Sequence, residues 1–462
     1  MLARPPRRLS MGRLRRALSL GTALPALLLA LALGLGVGPP PRVAAQAGLK
    51  GGAASFSRDV LPGGLTLLVE ERPGSGLVAV NVGVLAGARY EPDDAAGAAQ
   101  FMSQLFLDGT PSRPSRRDVL GAITSRGGDL NVDAGWELVS LSAEMASEDV
   151  DVALDVLADL LLNSAFARDR FEAERTLILQ NLVERADNPA RLFSDVAYAT
   201  ALGEPDLRHV PAGSPDTISS LAYDNLLRYR AAQVVGGNTI VAVAGDVRRD
   251  DVLPRVQRYF AALPPGPRQQ PRPLPRVVPP PLVTRAAGSE QSNVAVAART
   301  PGVESADRAA LVVLSGLLGG GGQRLYTEIR DKRGLAYVAG ASLLQMPDAG
   351  VLLAYAGTEP GNTDEVADLL RGEVERLVDE PASDDEVAHA ISYFVDGQIV
   401  DLETDSARAG DLVRRESLYG TAPPREYFLE MIREVRPADV QAAARRYLTP
   451  DRLTTVILGP DQ

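Results

Sequence analysis

The sequence predicts an α+β fold built from two homologous α/β-sandwich domains joined by a linker. First, the proline-rich stretch LPPGPRQQPRPLPRVVPPPLV, from Leu263 to Val283, can form neither a helix nor a central strand. Second, the segments on either side, of roughly 210 and 180 residues, repeat one order of signals: strands, a helix, long amphipathic helices and a closing strand. Third, a chain of 462 residues is too long for one ordinary core.

The first 47 residues have the pattern of a secretory signal peptide. Arginines precede the apolar run ALSLGTALPALLLALALGLGVG, and small residues allow cleavage after Ala45 or Ala47. We expect cleavage, a periplasmic or secreted location and no stable membrane association; the alternative is an uncleaved N-terminal anchor, since the run is long enough to span a bilayer. The chain has no cysteine, so no disulfide can support the exported protein.

The charge balance argues against nucleic acid as a partner. The leader carries seven arginines and no acidic residue, so its removal takes the formal net charge from −11 to about −18. A chain of that charge repels a phosphate backbone.

The predicted N-terminal domain covers residues 48–263. It opens with the strand-like segments GLTLLVEER and LVAVNVGVLAG and the helix DDAAGAAQFMSQLFLDG, followed by a helix, a Gly-Gly turn and two strands. Helices are expected near 147–162, 167–187 and 190–202, and a closing strand at 238–247.

The predicted linker is 264–282, and the C-terminal domain covers 283–462. This domain begins with the strand SNVAVAART and the helix SADRAALVVLSGLLGG, followed by two strands near 337–356. Four helices are expected after them, and the strand RLTTVILGPD closes the chain. The helices are expected near 361–379, 383–416, 424–433 and 436–447.

Several common catalytic chemistries cannot be built from this sequence. The two histidines, His209 and His389, lie in opposite halves and are interpreted as solvated or packed side chains, and without cysteine no usual zinc motif or catalytic triad can be written. The run GGGGQRLY at 319–326 lacks the Lys-Ser/Thr of a phosphate-binding loop. Its glycines are better interpreted as a hinge or a place of close backbone approach.

The segment GAAQFMSQLFLDGT, residues 97–110, resembles the zinc-binding helix of the pitrilysin and insulinase-type metallopeptidases, which include the mitochondrial processing peptidase. The resemblance places the two zinc histidines at Gln100 and Gln104, and the glutamate base at Ser103. It places the third ligand, in ERTLILQN, at Asn181. All four positions are changed, so we expect this chain to bind no metal or other cofactor, because neutral amides do not replace imidazole and carboxylate around Zn²⁺.

The segment QRLYTEIRDKRGLAY resembles the motif of the family's C-terminal domain that reaches across to the zinc site of the facing half. The resemblance implies that Arg330 and Tyr337 hold the substrate carbonyl and the developing oxyanion. A guanidinium presents a rigid fork of donors and a phenol one more donor, which suits that role.

Together these features predict a noncatalytic subunit of a heterodimeric zinc metallopeptidase. A paralogous partner would carry zinc, while this chain binds peptide and supplies Arg330 and Tyr337 in trans. The strands in GGDLNVDAGWELVSLSAEM could add an extended peptide to a sheet, although Asn131 and Trp136 are interpreted as structural. The alternative is a non-enzymatic peptide-binding or scaffold protein of the same fold. An active homodimeric peptidase would need a metal site that the sequence does not provide.

Overall fold

The computed structural model describes residues 55–186, 189–204, 207–275, 278–286, 290–319 and 324–460. The leader predicted for residues 1–47 lies outside these ranges. Within them, no helix combines the length and the apolar character needed to cross a membrane.

Six strands of the first half form one mixed sheet in the order β1-β2-β6-β3-β5-β4. Strand β6 is buried along its whole length and β5 alternates between buried and half-buried positions, so the sheet is covered on both faces at its centre and less at the β4 edge. The strands are β1 (Ser55–Val60), β2 (Thr66–Glu71), β3 (Leu77–Val84), β4 (Asp129–Ala134), β5 (Val139–Ala146) and β6 (Thr239–Gly245).

The five helices predicted for the first half are present in the predicted order, and three further helices follow them. Ser115 caps the second helix by accepting a hydrogen bond from the Asp118 backbone amide at 3.2 Å, as its place before the helix predicts. The helices are α1 (Ala98–Leu105), α2 (Arg116–Thr124), α3 (Val150–Asn163), α4 (Arg168–Ala186), α5 (Pro189–Leu202), α6 (Pro215–Ser220), α7 (Tyr223–Gln233) and α8 (Arg249–Tyr259).

The second half forms a five-stranded sheet in the order β7-β11-β8-β10-β9. Its strands are β7 (Leu282–Ala286), β8 (Ser292–Pro301), β9 (Ala336–Gln345), β10 (Ala349–Thr358) and β11 (Leu453–Gly459). Its α-helices are α9 (Arg308–Leu318), α10 (Thr363–Asp379), α11 (Asp384–Asp401), α12 (Asp405–Tyr419), α13 (Arg425–Arg433) and α14 (Pro437–Tyr447).

One predicted helix is wrong. The single helix expected over 383–416 is two helices, because α11 ends at Asp401 and Leu402 leaves the helical conformation. Thr404 then caps α12, its side chain accepting a hydrogen bond from the Ala407 backbone amide at 3.1 Å.

The two sheets share one topology. In each, a parallel pair (β2 with β6, β7 with β11) is followed by three antiparallel neighbours (β3, β5 and β4; β8, β10 and β9), and the first sheet adds β1 at its edge. The two-domain α+β prediction is therefore confirmed, and the internal repeat has a structural counterpart. The described residues between Leu263 and Leu282 contain no helix or strand.

Each half covers the sheet of the other with one helix. Helix α12 packs on β3 and β6, and α5 packs on β8, β10 and β11. Each sheet is thus covered on one face by helices of its own half and on the other face by the helix from the other half. On β6, Val241 and Val243 belong to the first-half core, while Ile240 and Ala242 face α12. Neither half therefore has a complete core without the other.

Candidate functional site

Three of the predicted site residues lie together on α1. The Ser103 hydroxyl donates a hydrogen bond to the Gln100 carbonyl oxygen at 2.8 Å, and the Gln104 side-chain nitrogen lies 3.5 Å from the Ser103 hydroxyl. Ser103 is buried and the two glutamines are half-buried. This amide face is therefore a small polar surface bound mainly to its own helix.

The N-terminus of α1 is fixed by a buried carboxyl group. Glu91 accepts hydrogen bonds from the backbone amides of Gly97 at 2.8 Å and Ala99 at 2.7 Å, which satisfies donors that the first turn leaves unpaired. Burial raises the pKa of Glu91 to about 8. His209 is also buried, with its Nε2 atom 3.1 Å from Asp93, and burial lowers its pKa. His209 is thus the packed side chain that was expected, while His389 is exposed.

Helix α4 packs against α1 and carries the fourth predicted position. The rings of Phe101 on α1 and Phe171 on α4 lie 4.7 Å apart, and α4 buries Glu174 on the same side. Asn181 follows Glu174 by about two helical turns, so the two share a face, but Asn181 is exposed. The four amide and hydroxyl positions therefore belong to two packed helices.

Arg116, at the start of α2, is a site residue that the sequence analysis missed. Its Nη2 atom donates to Glu174 Oε1 at 2.9 Å, to Asp108 Oδ1 at 2.9 Å and to the Gln104 carbonyl oxygen at 3.2 Å. Burial and the Asp108 carboxylate raise the pKa of Glu174, and Arg116 opposes them. An arginine in the first turn of a helix opposes the helix dipole, and this was the available signal that Arg116 needs an acidic partner.

The donors at this place do not fit a zinc ion. Gln100, Gln104 and Asn181 offer neutral amides, and the Arg116 guanidinium already takes the Glu174 carboxylate and adds a positive charge that repels a dication. Among the described residues, no three His, Cys, Asp or Glu side chains lie where they could share a metal ion.

Arg330 lies in the second half, in a π-helical turn (Tyr326–Asp331). Its side chain is exposed, stacks over the Tyr326 ring at 4.6 Å and donates a hydrogen bond to the Tyr326 hydroxyl. The nearby Glu328 instead binds Lys332 at 2.7 Å and Arg333 at 2.8 Å. The Tyr326 ring thus orients Arg330, while Lys332 and Arg333 neutralise the Glu328 carboxylate. Residues 320–323 of the glycine run lie outside the described ranges.

Tyr337 lies on β9, the edge strand of the second sheet, with 74% of its surface exposed. It lines a cavity of about 420 Å³ between α5 and β8–β10. At this cavity the Tyr198 hydroxyl of α5 lies 3.0 Å from the Ser342 hydroxyl of β9, so both halves contribute to its wall. The π-helical turn that holds Arg330 also packs against β9.

The site residues thus form two groups, each beside the edge strand of its own sheet. Helix α1 packs against β4, whereas Arg330 and Tyr337 lie at β9. The hydrogen bonds described for each group stay within its own half of the chain. On β4, Asn131 is exposed, while Trp136 of the β4–β5 turn packs into the cluster around α5.

Comparison with known proteins identifies the family. Residues 66–209 match the family described as insulinase (peptidase family M16), and residues 220–394 match the peptidase M16 inactive domain. An uncharacterized zinc protease of Mycobacterium tuberculosis is 32% identical over 413 residues, covering 87% of this chain and 93% of the relative. One of Streptomyces coelicolor is 29% identical, covering 88% and 90%.

Two solved structures share the fold. A protease from Helicobacter pylori has a TM-score of 0.79 at 21% identity, covering 88% of this chain and all of that one. A peptidase M16 inactive domain from Pseudomonas fluorescens also has a TM-score of 0.79, at 20% identity, covering 88% and 98%. The resemblance to insulinase-type peptidases is confirmed: the chain belongs to peptidase family M16.

Proposed function

We propose that this protein is the noncatalytic subunit of a heterodimeric zinc metallopeptidase. It binds peptide and supplies Arg330 and Tyr337 to the zinc site of a paralogous partner. The observation that supports this most is the contrast between the two groups of site residues. Arg116 and the amide face do not suit zinc, whereas Tyr337 and Arg330 are exposed at an edge where a second chain can reach them.

The chemistry asked of this chain is binding and orientation. The Arg330 guanidinium holds the carbonyl oxygen of the scissile peptide bond, and the Tyr337 hydroxyl donates a hydrogen bond to the oxyanion that develops there. Arg330 is oriented by its stacking on Tyr326, which limits the side-chain freedom lost on binding. A zinc ion held by the partner would supply the activated water, and the role proposed for Arg330 and Tyr337 is to bind and orient the substrate.

Peptide binding has two supports in the fold. Strands β4 and β9 are edge strands, and an extended peptide can add to such an edge through backbone hydrogen bonds. Beside Tyr337, the cavity of about 420 Å³ is lined by Phe193, Leu353 and Tyr355 among others, which suits a large apolar side chain. The leader predicted for residues 1–47 supports a periplasmic or secreted location for this chain.

The test is reconstitution with a zinc-bearing M16 paralogue from the same genome. We expect hydrolysis of a quenched fluorescent peptide by the mixture, and a loss of about 100-fold with Tyr337→Phe or Arg330→Ala. Matched controls are Tyr427→Phe, another exposed tyrosine, and Arg333→Ala, an arginine in the same segment. If the two site variants match wild type in the active mixture, the in-trans role is wrong.

The premise that this chain holds no zinc has its own test. Wild type is expected to contain no stoichiometric zinc by metal analysis. Restoring the motif with Gln100→His, Ser103→Glu, Gln104→His and Asn181→Glu is expected to give weak zinc binding, which tightens when Arg116→Gln is added. Stoichiometric zinc in wild type would contradict the premise.

The second candidate is a peptide-binding or scaffold protein without a role in hydrolysis, which the two open edge strands would also serve. This alternative predicts that a labelled peptide binds to this chain in the absence of a partner. It also predicts that adding this chain does not raise the activity of any zinc-bearing paralogue.

A further inference from the structure

A second cavity, separate from both groups of site residues, lies in the second half of the chain. It measures about 610 Å³ and is enclosed by the N-terminus of α9, the middle of α11, the C-terminal part of α12, α13 and strand β9. Four arginines line it: Arg308, Arg414, Arg415 and Arg425. Nothing in the proposed role of the protein uses this cavity.

The positive charge of this arginine pocket is not balanced by its acidic residues. Buried Asp411 accepts hydrogen bonds from Arg414 at 2.7 Å, Arg415 at 2.8 Å and Arg425 at 3.1 Å. Burial alone would raise the pKa of Asp411, but the three arginines outweigh it and keep the pKa below its ordinary value. One carboxylate therefore pairs with three guanidinium groups. Among the described residues, Glu304 is the only other acidic residue that lines the pocket, and it is exposed.

The fourth arginine adds a cation held by aromatic rings. The Arg308 guanidinium lies 3.5 Å from the ring centre of Phe428 and 5.1 Å from that of Tyr419, and it donates to Gln345 at 3.2 Å. Burial lowers the pKa of Arg308 to about 10, which still leaves the side chain charged at neutral pH.

Three buried donors lining the pocket have no hydrogen-bond partner among the described residues: Arg308 Nε, Arg425 Nε and the Tyr419 hydroxyl. A buried donor without a partner is costly, and a shift of these side chains toward the cavity would offer all three donors to an acceptor with several oxygens, which the surplus positive charge also favours. Carboxylate and phosphate are the groups that arginine forks bind best.

The rest of the lining limits the kind of anion. Phe394, Phe428, Leu343 and Met431 form an apolar wall, and the volume is that of an ordinary small-molecule site. We propose that the arginine pocket binds an organic anion, in which a carboxylate or phosphate group is attached to an apolar or aromatic body. The anionic group contacts Arg308, Arg425 and Tyr419, and the body packs on the phenylalanines.

The test is isothermal titration of the full chain at fixed ionic strength in chloride buffer. The probes are N-acetylphenylalanine, its neutral amide, phenyl phosphate and inorganic phosphate. We expect the carboxylate or phenyl phosphate to bind, and the amide to bind at least about tenfold more weakly, because it lacks the charge. Tighter binding of the carboxylate indicates a carboxylate ligand, such as a peptide C-terminus. Tighter binding of phenyl phosphate indicates a phosphorylated compound.

Variants locate the binding. Arg308→Gln and Arg425→Gln are expected to weaken binding about tenfold or more, while Arg433→Gln, the same charge change at an exposed position of α13, leaves it unchanged. Tyr419→Phe removes a hydroxyl with no described partner, so it is expected to weaken binding several-fold without lowering the melting temperature of the free protein. Equal binding of acid and amide, no binding of either organic anion, or full binding by Arg425→Gln would overturn the proposal.

Discussion

The two halves share one sheet topology, but the helices that each half packs on the sheet of the other, α5 and α12, are held there by different interactions. Helix α5 brings a large apolar face to the second sheet, including Phe193, Val196 and Leu202, and beside it lies one fully buried arginine, Arg89. Helix α12 brings a smaller apolar face to the first sheet, and several ion pairs add to it: Arg58 with Glu416, Arg72 with Asp405, and Arg408 with Glu70. The same architecture can thus be held mainly by apolar packing or by small residues and ion pairs.

The halves also differ in the pKa values of their buried and half-buried carboxyl groups. In the first half, burial raises the pKa of Glu91 to about 8 and that of Glu137 to about 7. In the second half, a hydrogen bond from Arg324 lowers the pKa of half-buried Glu386 to about 2, and three arginines keep the pKa of buried Asp411 below its ordinary value. At pH 7 Glu91 is therefore mainly protonated and Glu137 about half protonated, whereas Glu386 and Asp411 are ionised.

The largest effect is expected from Arg89→Met. The buried Arg89 guanidinium binds both oxygens of Asp348, at 2.9 and 3.0 Å. It also donates to the Arg272 carbonyl oxygen at 3.2 Å and lies 3.6 Å from Glu137, so its removal breaks several contacts at one buried place. We expect the free energy of unfolding to fall by about 3 to 5 kcal/mol in urea denaturation. Arg58→Met is the control on the α12 side, where Arg268 remains 3.8 Å from Glu416, and it should cost less. Equal losses would remove the contrast between the two helices.

The carboxyl group of Glu137 is expected to make the free energy of unfolding depend on pH, by about 3 kcal/mol. Because its folded pKa of about 7 lies above the ordinary 4.5, its contribution to stability is complete below about pH 4.5 and is lost as the pH rises through about 7. Denaturant titrations of wild type and Glu137→Gln at pH 4.5 and pH 8 measure it: the difference between the two proteins should change in favour of the variant at high pH. A difference that does not change with pH would contradict the assignment.

Gly83→Ala is expected to destabilise the protein by about 1 to 3 kcal/mol. A Cβ atom at Gly83 on β3 would lie 2.3 Å from the Val413 Cγ1 atom of α12, so the helix would have to move. Gly410→Ala, on α12 itself, is the matched control: its nearest neighbour would be the Asn81 side-chain nitrogen at 3.8 Å, and alanine favours the helix. Thermal denaturation should show a lower melting temperature for the first variant and an equal or higher one for the second.

The smallest effect is expected for Tyr337→Phe, within about 0.5 kcal/mol, since an exposed hydroxyl adds little to stability. Tyr223→Phe provides the comparison, because its hydroxyl donates to the Phe166 carbonyl oxygen at 2.6 Å and its loss should cost about 1 kcal/mol. If Tyr337→Phe unfolds the more easily of the two, Tyr337 has a structural role and its loss of activity could not be assigned to chemistry.

Much of the fold could be predicted from the sequence, because the helices, the strands and the linker are each determined by residues close together in the chain. Strand alternation, helix periodicity and the proline-rich break predict two α+β domains, and the family motif identified α1 and α4. The helix exchange could not be predicted: periodicity shows that α5 and α12 each bury a face, but it does not say against which sheet. The ion pair of Arg116 with Glu174 joins residues 58 positions apart in the sequence, and only tertiary packing reveals such a pair. The break at Leu402 was missed because apolar spacing continues across it.

The exchange of α5 and α12 has a mechanical consequence. A hinge motion between the two halves would separate α5 from the second sheet or α12 from the first. The apolar surfaces of the helix and of the sheet would then be exposed to water, at a cost comparable to unfolding. The packing of α5 and α12 therefore opposes a hinge motion between the two halves. In the heterodimer proposed above, a peptide would then enter through a gap between the two chains, and the rate of entry would depend on how the two chains associate.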